Sequence, residues 1–142
     1  MDDVYDPIEI FHKLLVSNHD WEADGVKVVK AYDYKNIDLR VGDFVIIETA
    51  IERDEFLGIG AMEFIRYVTL RLNVRTAESR YRVREISEKI RTIVRMKENW
   101  FVDGHLLLNL RIAREIDRSD TERHIYSQEI EIEWFEIEKR IV

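Results

Sequence analysis

The chain has 142 residues, 46% of them hydrophobic, with 22 Lys+Arg against 29 Asp+Glu and a formal net charge of −7. That size and apolar fraction suit one folded domain with a core of its own and exclude wholesale disorder. The absence of cysteine excludes a disulfide framework, a thiol nucleophile and a thiolate-held metal, and no apolar run approaches the ~20 residues of a membrane span.

The acidic start Met1-Asp2-Asp3 is unlike a signal peptide, and the absence of cysteine fits an intracellular site of synthesis. Asp6-Pro7-Ile8-Glu9 then reads as a helix start: Asp6 caps, Pro7 suits the first helical position, and Glu9 stands where a capping box wants a carboxylate. Ile8, Phe11, Leu14 and Leu15 fall on one helical face, and Ser17-Asn18-His19-Asp20 ends the helix. A short strand is expected over 26–31, a polar loop over 33–42, and a β-branched strand over 44–51. Residues 52–61 read as a flexible loop, with Glu52-Arg53-Asp54-Glu55 followed by apolar Phe56, Leu57 and Ile59 beside Gly58 and Gly60. Its apolar side chains have two readings, folding back on the core or ordering against a partner, and the first is preferred.

From Met62 the alternation sharpens. Val68, Leu70, Leu72 and Val74 alternate with polar residues, the pattern of a strand with one buried face. Thr76 or Ser79 then caps a helix in which Val83, Ile86, Ile90, Ile93 and Val94 keep helical spacing. Asp103-Gly104 is a turn. Leu106, Leu108, Leu110 and Ile112 alternate along one further strand, and Tyr126, Gln128, Ile130, Ile132 and Trp134 along another, the two forming an antiparallel hairpin. The expected fold is a single α+β domain over residues 1–142: about five strands, mostly antiparallel, with two helices packed on one face.

No motif names a chemistry. His12, His19, His105 and His124 show no metal-binding helical spacing, and the His19-Asp20 pair alone is a weak ligand set. Gly58-Ile59-Gly60 lacks the third glycine and the Lys-Ser/Thr of a phosphate loop, and no G-x-S-x-G elbow occurs. Neither an enzyme, a metal nor a cofactor is expected.

Charge is placed unevenly. Residues 1–71 carry 8 basic and 15 acidic side chains, whereas residues 72–142 carry 14 of each. Arg80, Arg82, Arg84, Lys89, Arg91, Arg95 and Lys97 stand against only Glu85 and Glu88 in one helical segment. The ordinary reading is a solvated helix exterior; the sharper one is a docking surface, through Arg80, Arg82, Arg84, Arg91 and Arg95, for an acidic partner such as another copy. Glu129, Glu131 and Glu133 form a second array, pointing the same way about 7 Å apart on a strand. Pairing with Arg111, or with Arg71 and Arg75, is the preferred reading. The sharper one makes the row face a channel or the basic helix of a neighbour. Both sharper readings point towards self-association, which also covers exposed strand edges.

A long strand (Tyr67-Val68-Thr69-Leu70-Arg71-Leu72-Asn73-Val74) runs into an amphipathic helix (Val83-Arg84-Glu85-Ile86-Ser87-Glu88-Lys89-Ile90), and a tight Asp103-Gly104 turn precedes two long terminal strands. This order of elements, from about Asp6 to about Glu138, resembles the tail-completion or tail-terminator proteins of long-tailed bacterial and archaeal viruses, the minor tail protein U-like and head-tail joining group. The resemblance implies a non-enzymatic virion protein without cofactor, at the tail-neck junction and, during assembly, in the host cytoplasm. It implies a homo-oligomeric ring, hexameric in the family, that caps the head-proximal end of the tail tube. The implied partners are the tail-tube protein and a neck or connector protein, with DNA passing through the lumen without sequence-specific binding and with no membrane involved. On that reading Glu129, Glu131 and Glu133 line the lumen and repel phosphates, and the loop with Phe56, Leu57, Gly58, Ile59 and Gly60 orders at the ring–tube contact. The alternatives are a neck adaptor of the same fold, a small enzyme or ligand-binding module, and a nucleic-acid binder using Arg80, Arg82, Arg84 and Arg91.

Overall fold

The computed structural model describes residues 4–33, 41–57 and 63–139. Helix α1 (Pro7–Asn18) opens at Asp6, whose Oδ1 accepts from the Ile8 and Glu9 amides at 3.1 and 3.3 Å. Glu9 does not close a capping box. Its carboxylate reaches the ammonium of Lys30 instead, 2.5 Å away, which ties α1 to strand β1 (Val26–Lys30). Strands β2 (Asp43–Phe56) and β3 (Glu63–Thr76) follow, and β3 leads into helix α2 (Arg80–Arg95). Of the two candidate caps, Ser79 does the work: its Oγ accepts from the Arg82 amide at 3.1 Å. Thr76 Oγ1 instead accepts from the Glu78 amide and donates to Asp43. Strands β4 (Trp100–Val102), β5 (His105–Asp117) and β6 (Tyr126–Lys139) complete the chain. No described helix is long and apolar enough to cross a membrane.

The sheet order is β1-β2-β3-β6-β5-β4. There are six described strands rather than about five, and the sheet is mixed: β1 runs parallel to β2, and the other neighbours are antiparallel. The additional strand is β4, three residues long, which the Asp103-Gly104 turn folds back onto β5. Both turn residues take positive φ, +51° and +80°, which matches the right-handed twist of the flanking strands.

One face of the sheet carries the core. Val68, Leu70, Leu72 and Val74 of β3 and Ile130, Ile132 and Trp134 of β6 are buried with Phe11 and Leu14 of α1 and Ile86 and Ile90 of α2. The sheet curls, so α1 touches β1 and β2 near one edge and β4 at the other. Lys13 of α1 reaches Asp103 beside β4 at 2.8 Å.

Strand β5 corrects the simple alternation. Asn109 takes φ +53°, and the register with β6 shifts twice, between Leu108 and Arg111 and between Ile112 and Arg114. These bulges change which residues face inward. Leu107 and Leu110 are buried, whereas Leu106, expected on the buried face, is exposed.

The second correction concerns residues 52–61. Glu52–Phe56 are not loop but the far half of β2, paired residue by residue with β3 from Glu52↔Val68 to Phe56↔Phe64. Their charge-rich sequence hides the strand because this stretch is exposed to solvent rather than half buried. Beyond Leu57 the remainder of that loop, with Gly58, Ile59 and Gly60, lies outside the described residues.

Candidate assembly surfaces

The residues singled out by sequence fall on three surfaces. Glu129, Glu131 and Glu133 project together from the sheet face opposite the helices. In register, Arg114 of β5 and Arg71 of β3 flank Glu131, and Arg111 of β5 flanks Glu133. Arg111 pairs with Glu133 at 3.1 Å, and Arg114 with Glu131 at 3.2 Å. Glu129 is approached by Arg118 at 3.5 Å and Arg71 at 3.6 Å, while Arg71 also holds Glu48 at 3.2 Å. The preferred pairing with Arg111 and Arg71 is therefore formed, whereas Arg75 makes no ion pair with the row among the described residues. Four glutamates (Glu48, Glu129, Glu131, Glu133) meet four arginines (Arg71, Arg111, Arg114, Arg118). The array is a neutral ionic ladder, so the anionic strip expected to repel phosphates is not what the side chains build.

The basic helix divides into spent and unspent cations. Arg82 donates from Nε to Asp43 at 2.7 Å and from Nη2 to the Asp24 carbonyl at 2.5 Å, which locks the start of α2 to β2 and to the turn before β1. Arg91 lies between Glu115 at 2.8 Å and Glu88 at 2.7 Å. These two arginines are structural, and the docking role expected of them does not fit their geometry. Among the described residues Arg80 has only a long ion pair, to Asp117 at 3.6 Å, with both side chains more than half exposed. Arg84 and Arg95 are exposed and have no ion-pair partner among the described residues.

The third surface is the far end of the β2–β3 pair. Phe56 and Leu57 are 57% and 54% exposed, so they do not fold back on the core as preferred. The Phe56 ring lies 5.7 Å from that of Phe64. Ile51 is 69% exposed on the same strand.

Sequence reading missed a polar cluster under this end of the sheet. Glu136 is 2% exposed. It accepts from the Tyr5 hydroxyl and from Trp134 Nε1, and its other oxygen lies 2.8 Å from His105 Nδ1. Burial, and then the hydrogen bond to Glu136, push the Tyr5 phenol well above its usual range. Arg66 stacks over the Tyr5 ring at 3.9 Å and approaches Asp54 and Glu138 at 3.5 Å. The cluster fastens the N-terminal segment beneath the sheet. The ligand atoms of His105, Glu136 and Glu138 lie within 4.8 Å of one another. That spacing suits a metal ion, but here the carboxylates are held by Tyr5, Trp134 and Arg66 from the chain itself. A signal was present: Glu136 continues the buried parity of Ile130, Ile132 and Trp134, and a carboxylate on that parity demands partners.

His19 is bonded to Asp24 rather than to Asp20. Lys89 and then His19 hold the Asp24 carboxyl down to about 2. A groove of about 930 Å³ beside β1 is lined by Val16, Trp21, Val26 and Val28 together with this His19.

No protein-family model matches the chain, and a search of curated proteins returns no match.

Proposed function

We propose that this chain is a structural, non-enzymatic virion protein: a tail terminator whose copies close into a ring, six in number, on the head-proximal end of a tail tube. The observation that supports this reading most is the free edge of β2. Among the described residues strand β1 pairs only with Asp43–Ile47 of β2, so Glu48–Glu55 offer an edge with no described strand beside it. Unpaired edges of this length invite association. Just beyond that edge Leu57 is 54% exposed, where a neighbour or a tube can cover it. The ionic ladder around Glu131 also fits a lumen. A surface of alternating, mutually paired charges neither attracts nor strongly repels a passing polyphosphate.

The test is solution mass followed by negative-stain imaging, with and without purified tail-tube protein of the same virus. Closed rings that cap tubes and stop their growth are expected. Rings that bind a neck protein and ignore tubes would shift the assignment to a neck adaptor. A monomer that neither assembles nor caps would remove the proposal.

A further inference from the structure

The two halves of the chain differ in net charge, and the fold converts that difference into two separate surfaces. Glu52 and Asp54 stand on one face of the far half of β2 and Glu55 on the other, and from Glu52 to Glu55 the outer edge has no described strand beside it. Among the described residues Glu52 and Glu55 have no ion-pair partner, and Asp54 has only the 3.5 Å approach of Arg66. Burial lifts the Glu52 carboxyl above its ordinary value, with Arg66 opposing and Asp54, Asp6 and Glu136 adding to the rise. Along Glu52–Glu55 three carboxylates stand against Arg53 of the strand itself and the approach of Arg66 from β3. Elsewhere, Arg80, Arg84 and Arg95 stand on exposed positions of α2. Spacings of four and eleven residues from Arg84 set Arg80 and Arg95 on nearly the same helical face.

We propose that the free β2 edge of one copy, through Glu52, Asp54 and Glu55, docks on the exposed α2 face of a second copy, through Arg80, Arg84 and Arg95. The inference rests on the ring-forming reading and names the surfaces that join the subunits. A second copy is the occupant the charges select, because the carboxylates of one surface complement the arginines of the other. Two β2 edges meeting antiparallel with registers centred on Glu52 or Arg53 set like charges opposite each other, which is destabilising. Two arginine-bearing faces also repel. An edge-to-helix contact is heterologous, and repetition of a heterologous contact generates a ring when its rotation closes. The ionic ladder is excluded as the acidic side of this contact because its glutamates already have arginines.

The experiment uses the whole chain in two charge-reversed forms, Glu52→Lys/Glu55→Lys and Arg84→Glu/Arg95→Glu. All four positions are exposed, so circular dichroism should show both variants folded. Light scattering then reads the mass of each variant and of their equimolar mixture. The expected result is wild-type rings, each variant alone falling to the 17.1 kDa monomer, and recovery of the wild-type mass on mixing. In the mixture the native edge meets the native helix and the reversed edge meets the reversed helix, so alternating copies close any even-numbered ring. Wild-type mass for either variant alone would overturn the assignment of these surfaces and leave the ring reading standing. Folded variants that stay monomeric when mixed would also overturn it. A wild type that is monomeric alone and does not assemble on tail tubes would remove both the inference and the ring reading.

Discussion

Strand β2 lives in two environments. Phe44–Ile47 are buried, with β1 on one side and β3 on the other. Glu52–Glu55 keep the same partner in β3 but are exposed, with no described strand on the other side. Backbone pairing alone therefore does not make a stretch part of the core; the helices beneath it do. The near half supports the stability of the subunit, and the far half is available for contact.

The sharpest way to break this comparison is to remove side chains from each region in turn. Leu72 is fully buried between the sheet and the helices, so Leu72→Ala should cost about 2–5 kcal/mol. Ile51→Ala, at an exposed site, should stay within about 0.5 kcal/mol of wild type. Urea denaturation of the dilute protein measures both. A loss at Ile51 comparable to that at Leu72 would mean the far half is packed within the single subunit.

The next effect is polar. Glu136→Ala leaves Tyr5, Trp134 and His105 without their shared acceptor and should cost about 1–3 kcal/mol. Glu131→Ala removes an exposed rung of the ladder and should cost less than about 1 kcal/mol. Equal losses from these two glutamates, five residues apart on β6 and so on opposite faces, would erase the distinction between its buried and open faces. Ser79→Ala removes the cap of α2 and should cost about 1 kcal/mol.

Legibility in the sequence followed the same division. The alternation of Val68, Leu70, Leu72 and Val74 was readable because one face of β3 meets helices and the other does not. The Asp6 cap was readable because its donors are two and three residues away. The far half of β2 was not, since exposure removes the hydrophobic period that marks a strand. The bulges of β5 hid for another reason: Asn109 in the left-handed region turns Leu106 outward, and nothing in a run of leucines announces the register of its partner. For the assembly surfaces, sequence placed Arg84 and Arg95 correctly on an open face. It could not separate them from Arg82 and Arg91, because Asp43 and Glu115, which consume those two, are distant in sequence and near only in the fold.

The smallest effect is a pH dependence at the contact between the turn before β1 and α2. Lys89 and His19 lower the Asp24 carboxyl from 3.8 to about 2. A carboxyl whose pKa is lower in the folded state stabilises the fold above its unfolded value and loses that contribution as it is protonated. The melting-temperature gap between wild type and Asp24→Asn should therefore be constant above the ordinary value of 3.8 and close as the pH falls towards about 2. The gap should be small, because the site is open to water and to salt, and it should shrink further at high ionic strength. A gap unchanged down to the lowest pH would show that Asp24 matters through its shape in the turn rather than through its charge. In that case Lys89 would join Arg84 and Arg95 among the cations of α2 that the subunit does not use.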